Sequence, residues 1–193
     1  MKNLERRHFT LDALHVQTRD DGKRRIVGHA AVFNQLSVDL GGFREQIAPG
    51  AFAETIKIDD VRALLNHNPD FVLGRNLAKT LTLAEDARGL AIEIDPPDTQ
   101  VARDLLVSLE RGDINQMSFG FDVRPNGQNW AVDDDGQVIR TLTRVRLWDV
   151  SPVAFPAYLQ TDVAMRELRA WMDASPPPFD RVKLARMRLD LAM

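Results

Sequence analysis

The chain has 193 residues, of which 44% are hydrophobic and 27% charged, and its formal net charge is -3. This length and composition indicate one folded domain with a short appendage, and the slightly acidic balance gives no basic footprint for nucleic acid. No apolar run approaches the roughly 20 residues of a membrane span. The opening residues MKNLERRHFTLD contain no apolar core of a secretory signal, so we expect a cytosolic protein with neither a nucleic-acid nor a membrane partner.

The sequence contains no cysteine and only four histidines: His8, His15, His29 and His67. Disulfides, thiolate nucleophiles and zinc sites built on cysteine are therefore excluded. The histidines show no HExxH spacing and form no close pair, and the glycine-rich nucleotide-binding patterns are missing. We expect neither a metal nor a cofactor.

The first half of the chain is predicted to be strands joined by turns. The strands Phe9–Thr18 and Arg24–Phe33 flank the turn residues Asp20-Asp21-Gly22-Lys23. A loop at 40–43 and a short helix at 51–57 follow, before a strand at 61–67. A second hairpin joins 80–84 to 89–94 across the turn 85–88.

The second half begins with the best helical pattern in the sequence, Gln100–Arg111, which Asp98 or Thr99 is placed to cap and Gly112 to end. A strand at 114–123 comes next. The strands 130–132 and 138–142 flank Asp133-Asp134-Asp135-Gly136, which has the pattern of a turn and lacks the further spaced ligands of a calcium loop. A strand at 144–150 and a helix at 162–172 complete the prediction.

Many short strands and few helices indicate a predominantly β domain of the α+β class, best fitted by a closed or nearly closed β-barrel with peripheral helices. We assign this domain to residues 1–172. Residues 173–193 would form a proline-rich spacer at 175–178 and a short, mildly basic, amphipathic C-terminal helix.

Alternation along three strands singles out three polar residues. In the strand 114–123, Met117, Phe119, Phe121 and Val123 share one face, and Ser118 lies on the other. His67 continues the apolar row of the strand 61–67. Asp149 continues the row of Val145 and Leu147, where a carboxylate must be hydrogen-bonded or paired.

Together these residues would supply a nucleophile, a base and an orienting acid. A serine hydroxyl needs an adjacent base, imidazole suits that task near neutral pH, and a carboxylate behind the imidazole fixes its tautomer. Asp122 is a rival acid, but four residues of strand separate it from Ser118 by about 13 Å. Each residue also has a plainer interpretation: a solvated serine, a structural histidine, and an aspartate that caps a turn or pairs with an arginine.

An ordered series of short motifs resembles the prohead, or capsid-maturation, serine protease family of tailed bacteriophages over about residues 24–165. The motifs are GHAAVF at 28–33, GGFREQIAPGAF at 41–52, LLNH at 64–67, LGR at 73–75, GL at 89–90, MSFGF at 117–121, DVSPV at 149–153 and PAY at 156–158. The family is similar in fold to the assemblins, the herpesvirus capsid-maturation proteases. The resemblance therefore implies an assemblin-like β-barrel with surrounding helices.

By resemblance, His67 is the base, Ser118 the nucleophile and Asp149 the third catalytic residue, at a position where family members often carry Glu. The implied activity is a serine endopeptidase that cleaves the phage scaffold, or the scaffold domain of the major capsid protein, and also itself. It would act as a homodimer or higher oligomer inside the assembling prohead in the host cytoplasm. Arg75, Arg144 and Arg146 are candidates for holding an oxyanion-hole water, and a non-enzymatic capsid-assembly module with the same fold is the alternative.

Overall fold

The computed structural model describes residues 4–10, 14–155 and 162–174, and that part of the chain contains twelve strands and three helices. In chain order the elements are β1 Glu5–Thr10, β2 His15–Thr18, β3 Arg24–Val32, β4 Arg44–Ile47, α1 Thr55–Ile58, β5 Arg62–Leu65, β6 Asn68–Arg75, β7 Leu81–Glu85, β8 Gly89–Ile94, α2 Gln100–Arg111, β9 Gln116–Val123, β10 Gln128–Val132, β11 Val138–Leu142, β12 Val145–Val153 and α3 Asp162–Ala174.

The strands form three hydrogen-bonded sheets with the orders β1-β9-β12-β5-β6, β10-β11-β4 and β2-β3-β8-β7. Most neighbours are antiparallel, whereas β12 with β5 and β11 with β4 are parallel pairs. Each of the described sheets keeps two edge strands, so within the described residues no closed barrel forms. The predicted predominantly β class is confirmed, and the barrel is not detected.

The main core lies between the sheets and beneath α2, with Phe52, Phe119 and Phe121 among its buried side chains. The apolar stripe of α2 (Ala102, Leu105, Leu106 and Leu109) packs into this core, as its spacing predicts. The Thr99 hydroxyl accepts from the Ala102 N–H at the start of α2, and Gly112 ends the helix in the left-handed conformation. No helix in the described parts of the chain is long and apolar enough to cross a bilayer.

Two predicted segments differ from the elements that the structure shows. The predicted strand 9–18 is wrong as one element: β1 pairs with β9, β2 pairs with β3, and residues 11–13 lie outside the described residues. The predicted helix 51–57 is reduced to α1 at Thr55–Ile58. Alternation of apolar and polar residues indicates that a segment is extended. It does not indicate which strand will pair with that segment.

The strands β4 and β6 were missed. Both are poor in the apolar alternation by which strands are recognised, and β6 contains Pro69, which belongs at a sheet edge. β6 is indeed an edge strand, next to β5.

A second, smaller core joins α3 to the three-stranded sheet. Ala164, Leu168 and Met172 of α3 pack with Phe43 and Val138. The predicted helix 162–172 thus exists and ends at Ala174. The predicted spacer 175–178 and the amphipathic tail at 179–193 lie outside the described residues.

A cluster of five charged side chains joins the five-stranded sheet, the three-stranded sheet and α3: Glu5, Arg7, Glu45, Arg140 and Glu167, all buried except Glu167. Arg140, whose side chain is fully buried, forms two hydrogen bonds with the Glu5 carboxylate, at 2.8 and 2.9 Å. It also contacts Glu45 at 2.9 Å and Glu167 at 2.7 Å. Burial lowers the pKa of Arg140, but the carboxylates of Glu5, Glu45 and Glu167 raise it by more, so Arg140 remains charged.

Candidate active site

Ser118 lies in the middle of β9, between β1 on one side and β12 on the other. The core row of β9 is as predicted, because Met117, Phe119 and Phe121 are fully buried in the main core. Ser118 lies on the opposite face. That face is covered in the folded chain, and Ser118 has no exposed surface.

Asp149 reaches the same face through a bulge in β12. Leu147 pairs with Phe121 of β9, but the next pair is Asp149 with Gly120, so Trp148 is an extra residue in the ladder. The prediction that Asp149 shares a face with Val145 and Leu147 is therefore wrong. The bulge reverses the alternation, as bulges near functional sites often do, and turns Asp149 towards Ser118.

His67 lies in the turn between β5 and β6 and does not continue a strand. Leu65 pairs with Asn68, and the two residues between them, Asn66 and His67, have φ of 53° and 56°. This is a two-residue hairpin turn of the type that needs positive φ at both central positions. Asn66 fixes the turn to the end of β12, since its N–H donates to the Pro152 carbonyl and its side-chain oxygen accepts from the Ala154 N–H.

The three predicted residues form one hydrogen-bonded chain in the structure. His67 Nε2 lies 2.7 Å from Ser118 Oγ, and His67 Nδ1 lies 2.5 Å from Asp149 Oδ1 and 3.1 Å from Oδ2. The side chains of His67 and Asp149 are only 5% and 9% exposed. A buried carboxylate accepts the Nδ1 proton in this arrangement, which leaves the Nε2 lone pair facing the serine hydroxyl.

Two further residues support the carboxylate, and the sequence analysis did not single them out for this role. The Ser151 hydroxyl, fully buried, donates to Asp149 Oδ1 at 3.2 Å. Gly120 leaves the space that the carboxylate fills, because a Cβ at this position would lie 2.7 Å from Asp149 Oδ2. The register that places Ser151 beside Ser118 and Asp149 beside Gly120 depends on the bulge, so alternation alone did not indicate either role.

The rival acid and the three candidate arginines have other partners. Asp122 accepts a hydrogen bond from the Trp148 indole at 2.9 Å. Arg75 pairs with Asp60, which raises the pKa of Arg75 above its usual value. Arg144 donates to the Pro125 carbonyl, and the Arg146 guanidinium stacks on Trp148. An oxyanion role for any of these arginines stays a prediction.

No metal site competes with this interpretation in the described part of the chain, where no group of three or more potential ligands is clustered. A hydroxyl, an imidazole and a buried carboxylate in series are the groups that serine hydrolases use for acyl transfer. The fold that carries them is mostly β, with three helices in the described residues.

Comparison with known proteins gives the family. The chain belongs to the caudovirus prohead serine protease family, whose model matches residues 12–173. Among solved structures it is similar to the bacteriophage T4 capsid assembly protease gp21, with a TM-score of 0.51 and 10% sequence identity. That match covers 78% of this chain and 97% of the other, and at this identity it shows the fold alone. No curated protein matches the sequence.

The space beside Gly120 gives a testable prediction. Gly120→Ala places a methyl group against the Asp149 carboxylate, which must then move away from His67 or strain the strand. We expect the rate of Ser118 labelling by a fluorophosphonate to fall about 100-fold, as small displacements of catalytic groups produce. The free energy of unfolding should fall by about 1–3 kcal/mol, as overpacking does.

The matched control is Gly112→Ala, at the end of α2. A Cβ there meets no atom within 4 Å, but the residue has φ of 79°, so alanine is strained. This variant should lose about 1–2 kcal/mol of stability and label at the wild-type rate. Equal labelling rates for the Gly120→Ala and wild-type proteins would show that the carboxylate position does not matter.

Proposed function

We propose that the chain is a serine endopeptidase in which Ser118 is the nucleophile, His67 the general base and Asp149 the orienting acid. The observation that carries this proposal is the hydrogen-bonded series from Ser118 Oγ through His67 to Asp149, with separations of 2.7 and 2.5 Å. Membership of the prohead serine protease family supports the reaction type.

The proposed reaction is acyl transfer. Ser118 Oγ attacks a peptide carbonyl carbon while its proton passes to His67 Nε2, and Asp149 stabilises the resulting imidazolium. His67 then gives that proton to the leaving amine, and water hydrolyses the acyl-enzyme by the reverse sequence. Donors for the tetrahedral oxyanion, each worth about 3 kcal/mol, must lie near the attacked carbonyl, and Arg75, Arg144 and Arg146 remain the candidate holders of a water there.

We propose as substrate the scaffold protein, or the scaffold domain of the major capsid protein, together with the protease itself. The partners would be the scaffold and major capsid protein, and the site of action the interior of the assembling prohead in the host cytoplasm. The protease would work there as a homodimer or higher oligomer. Membership of the family and the capsid assembly role of the T4 protein support a substrate and partners of this kind.

We further propose that the three open sheets belong to an assemblin-like fold. We also propose that residues 1–172 act as the protease domain, with 173–193 as a separate spacer and helix. The mostly β fold and the match to residues 12–173 support this division.

The test is co-expression of the protease with the scaffold and major capsid protein of the same phage. Ser118→Ala should abolish scaffold cleavage, seen as loss of the processed fragments by mass spectrometry, because it removes the hydroxyl that lies 2.7 Å from His67 Nε2. The matched control is Ser108→Ala, since Ser108 lies partly exposed on α2 and its hydroxyl donates to the Asp104 carbonyl. Undiminished cleavage by Ser118→Ala would reject the proposal and leave a non-enzymatic assembly module as the better account.

A further inference from the structure

The bulge in β12 brings Asp149 into the site, and burial of the strand does not by itself fix its place. Leu147 before the bulge and Val150 after it are both fully buried. Because side chains alternate along a strand, these two share the core face only if one residue between them is extra. Asp149 lies opposite Gly120 because the extra residue is Trp148. The groups that hold the backbone at the bulge therefore decide where the carboxylate lies.

One of these groups is the hydroxyl of Thr55, at the start of α1. β5 pairs with β12 from Asp149 onwards, so the backbone of Leu147 lies before that pairing begins. The Leu147 N–H donates to the Thr55 hydroxyl oxygen at 2.8 Å, and Thr55 is completely buried. Two residues earlier, the Val145 N–H donates to the Ala51 carbonyl at 3.1 Å. The segment that leads into α1 thus takes the place of a neighbouring strand along the first part of β12.

The Thr55 hydroxyl is itself held by Asp59. A hydroxyl has one proton to donate and lone pairs with which to accept. Thr55 accepts from the Leu147 N–H and donates its proton to Asp59 Oδ2 at 2.7 Å. Asp59 also accepts from the guanidinium of Arg124, which directly follows β9. The carboxylate fixes the direction of the Thr55 proton and leaves the oxygen lone pairs facing β12.

We propose that Thr55 is a positioning residue, which holds the backbone that leads into the bulge and so keeps Asp149 against His67. This inference rests on the proposed role of Asp149 as the orienting acid. Without the hydroxyl, the Leu147 N–H is buried with no acceptor, which is costly. The entry to the bulge is then held by its ladder with β9 alone. Asp149 occupies a wider range of positions and spends less time at 2.5 Å from His67 Nδ1.

The variant that tests the inference is Thr55→Val, which keeps the branched shape of the side chain and removes both hydrogen bonds. The first readout is the far-downfield ¹H NMR resonance of the His67 Nδ1 proton, in purified protease labelled with ¹⁵N-histidine. This proton lies in the hydrogen bond to Asp149 and reports its position. We expect the resonance to move upfield or disappear in Thr55→Val. Thr55→Ser keeps the hydroxyl and should restore the wild-type resonance.

The second readout is the rate of scaffold processing in proheads assembled with each variant. Thr55→Val should process scaffold about 10- to 100-fold more slowly than the wild type, as small displacements of catalytic groups produce. Thr55→Ser should process it at close to the wild-type rate. A hydroxyl that served only the stability of the fold would not change the resonance of a folded protein.

The matched control is Thr99→Val, which makes the same replacement at the cap of α2. The Thr99 hydroxyl accepts from the Ala102 N–H, so its loss should lower the midpoint of urea unfolding. The resonance of His67 and the processing rate should stay at their wild-type values. If Thr55→Val fails to fold, as judged by circular dichroism, Asp59→Ala tests the same network by removing the acceptor of the Thr55 proton. It should shift the resonance in the same direction and slow processing at least about threefold.

The results that would overturn the inference differ from the one that would reject the proposed function. A wild-type resonance and processing rate in folded Thr55→Val, or in Asp59→Ala if only that variant folds, would overturn the role of Thr55 and leave the proposed site intact. Thr55→Ser as defective as Thr55→Val would overturn it too, because the hydroxyl would not be the cause. Processing at the wild-type rate by Ser118→Ala would reject the proposed function, and the role of Thr55 with it.

Discussion

Asp149→Asn is expected to lower the rate of scaffold cleavage by about 10⁴-fold while the fold is retained. The carboxylate accepts the Nδ1 proton of His67 at 2.5 Å and thereby keeps Nε2 free to accept the Ser118 proton. An asparagine amide in the same place can donate to Nδ1, which favours the tautomer with the proton on Nε2. His67 then cannot act as a base, and the loss also includes the stabilisation of its imidazolium.

The measurement is a time course of scaffold processing in purified proheads, with fluorophosphonate labelling of Ser118 as a second readout. Asp122→Asn is the matched control, because Asp122 lies on the same strand as Ser118 but accepts its hydrogen bond from Trp148. Asparagine retains an oxygen for that bond, so this variant should process scaffold at the wild-type rate. If Asp122→Asn lost activity and Asp149→Asn kept it, the orienting acid would have to be reassigned.

Arg140→Met should lower the free energy of unfolding by about 3–5 kcal/mol, the cost of removing one partner from a buried ionic cluster. Arg140 is fully buried and contacts the carboxylates of Glu5, Glu45 and Glu167. Without it, the buried carboxylates of Glu5 and Glu45 share the single positive charge of Arg7, and Glu167 loses its contact with Arg140. The loss should appear as a lower midpoint in urea unfolding without a change in slope.

Two further variants serve as comparisons for Arg140→Met. Arg140→Lys keeps the charge but not the forked donor geometry that meets Glu5 with two hydrogen bonds, so it should recover only part of the stability. Arg103→Met removes an arginine that pairs with Asp98 at the surface, where an ion pair is worth about 0–1 kcal/mol. If Arg140→Met cost no more than Arg103→Met, the buried cluster would not be a source of stability.

The strand 114–123 shows which structural features alternation can predict and which it cannot. Its row Met117, Phe119 and Phe121 lies in the core as the pattern required, because burial of that face fixes the register of the strand. Ser118 was correctly placed on the opposite face. Nothing in the local sequence shows that β1 pairs with this strand, since the paired residues of β1 and β9 are more than 100 positions apart in the sequence.

The strand alternation that singled out His67 and Asp149 does not match the backbone of the structure. Alternation placed both in apolar rows of strands, but His67 lies in a hairpin turn with positive φ, and a bulge turns Asp149 to the other face of β12. The ordered motifs of the resemblance selected the same two residues without depending on either strand phase. Turn type and bulge position are set by pairing with β6 and β9, which a periodicity within one strand does not record.

By itself, the sequence determined the predominantly β class, helix α2, the core face of β9 and the family, because local periodicity and short motifs are properties of contiguous residues. The tertiary structure alone decided the meeting of Ser118, His67 and Asp149, the partner strands of β9, and the burial of Arg140 among carboxylates. These features join residues far apart in the chain through strand pairing and packing. The same contacts that assemble the hydroxyl, imidazole and carboxylate also place the Arg7 carbonyl against the hydroxyl, at 2.9 Å.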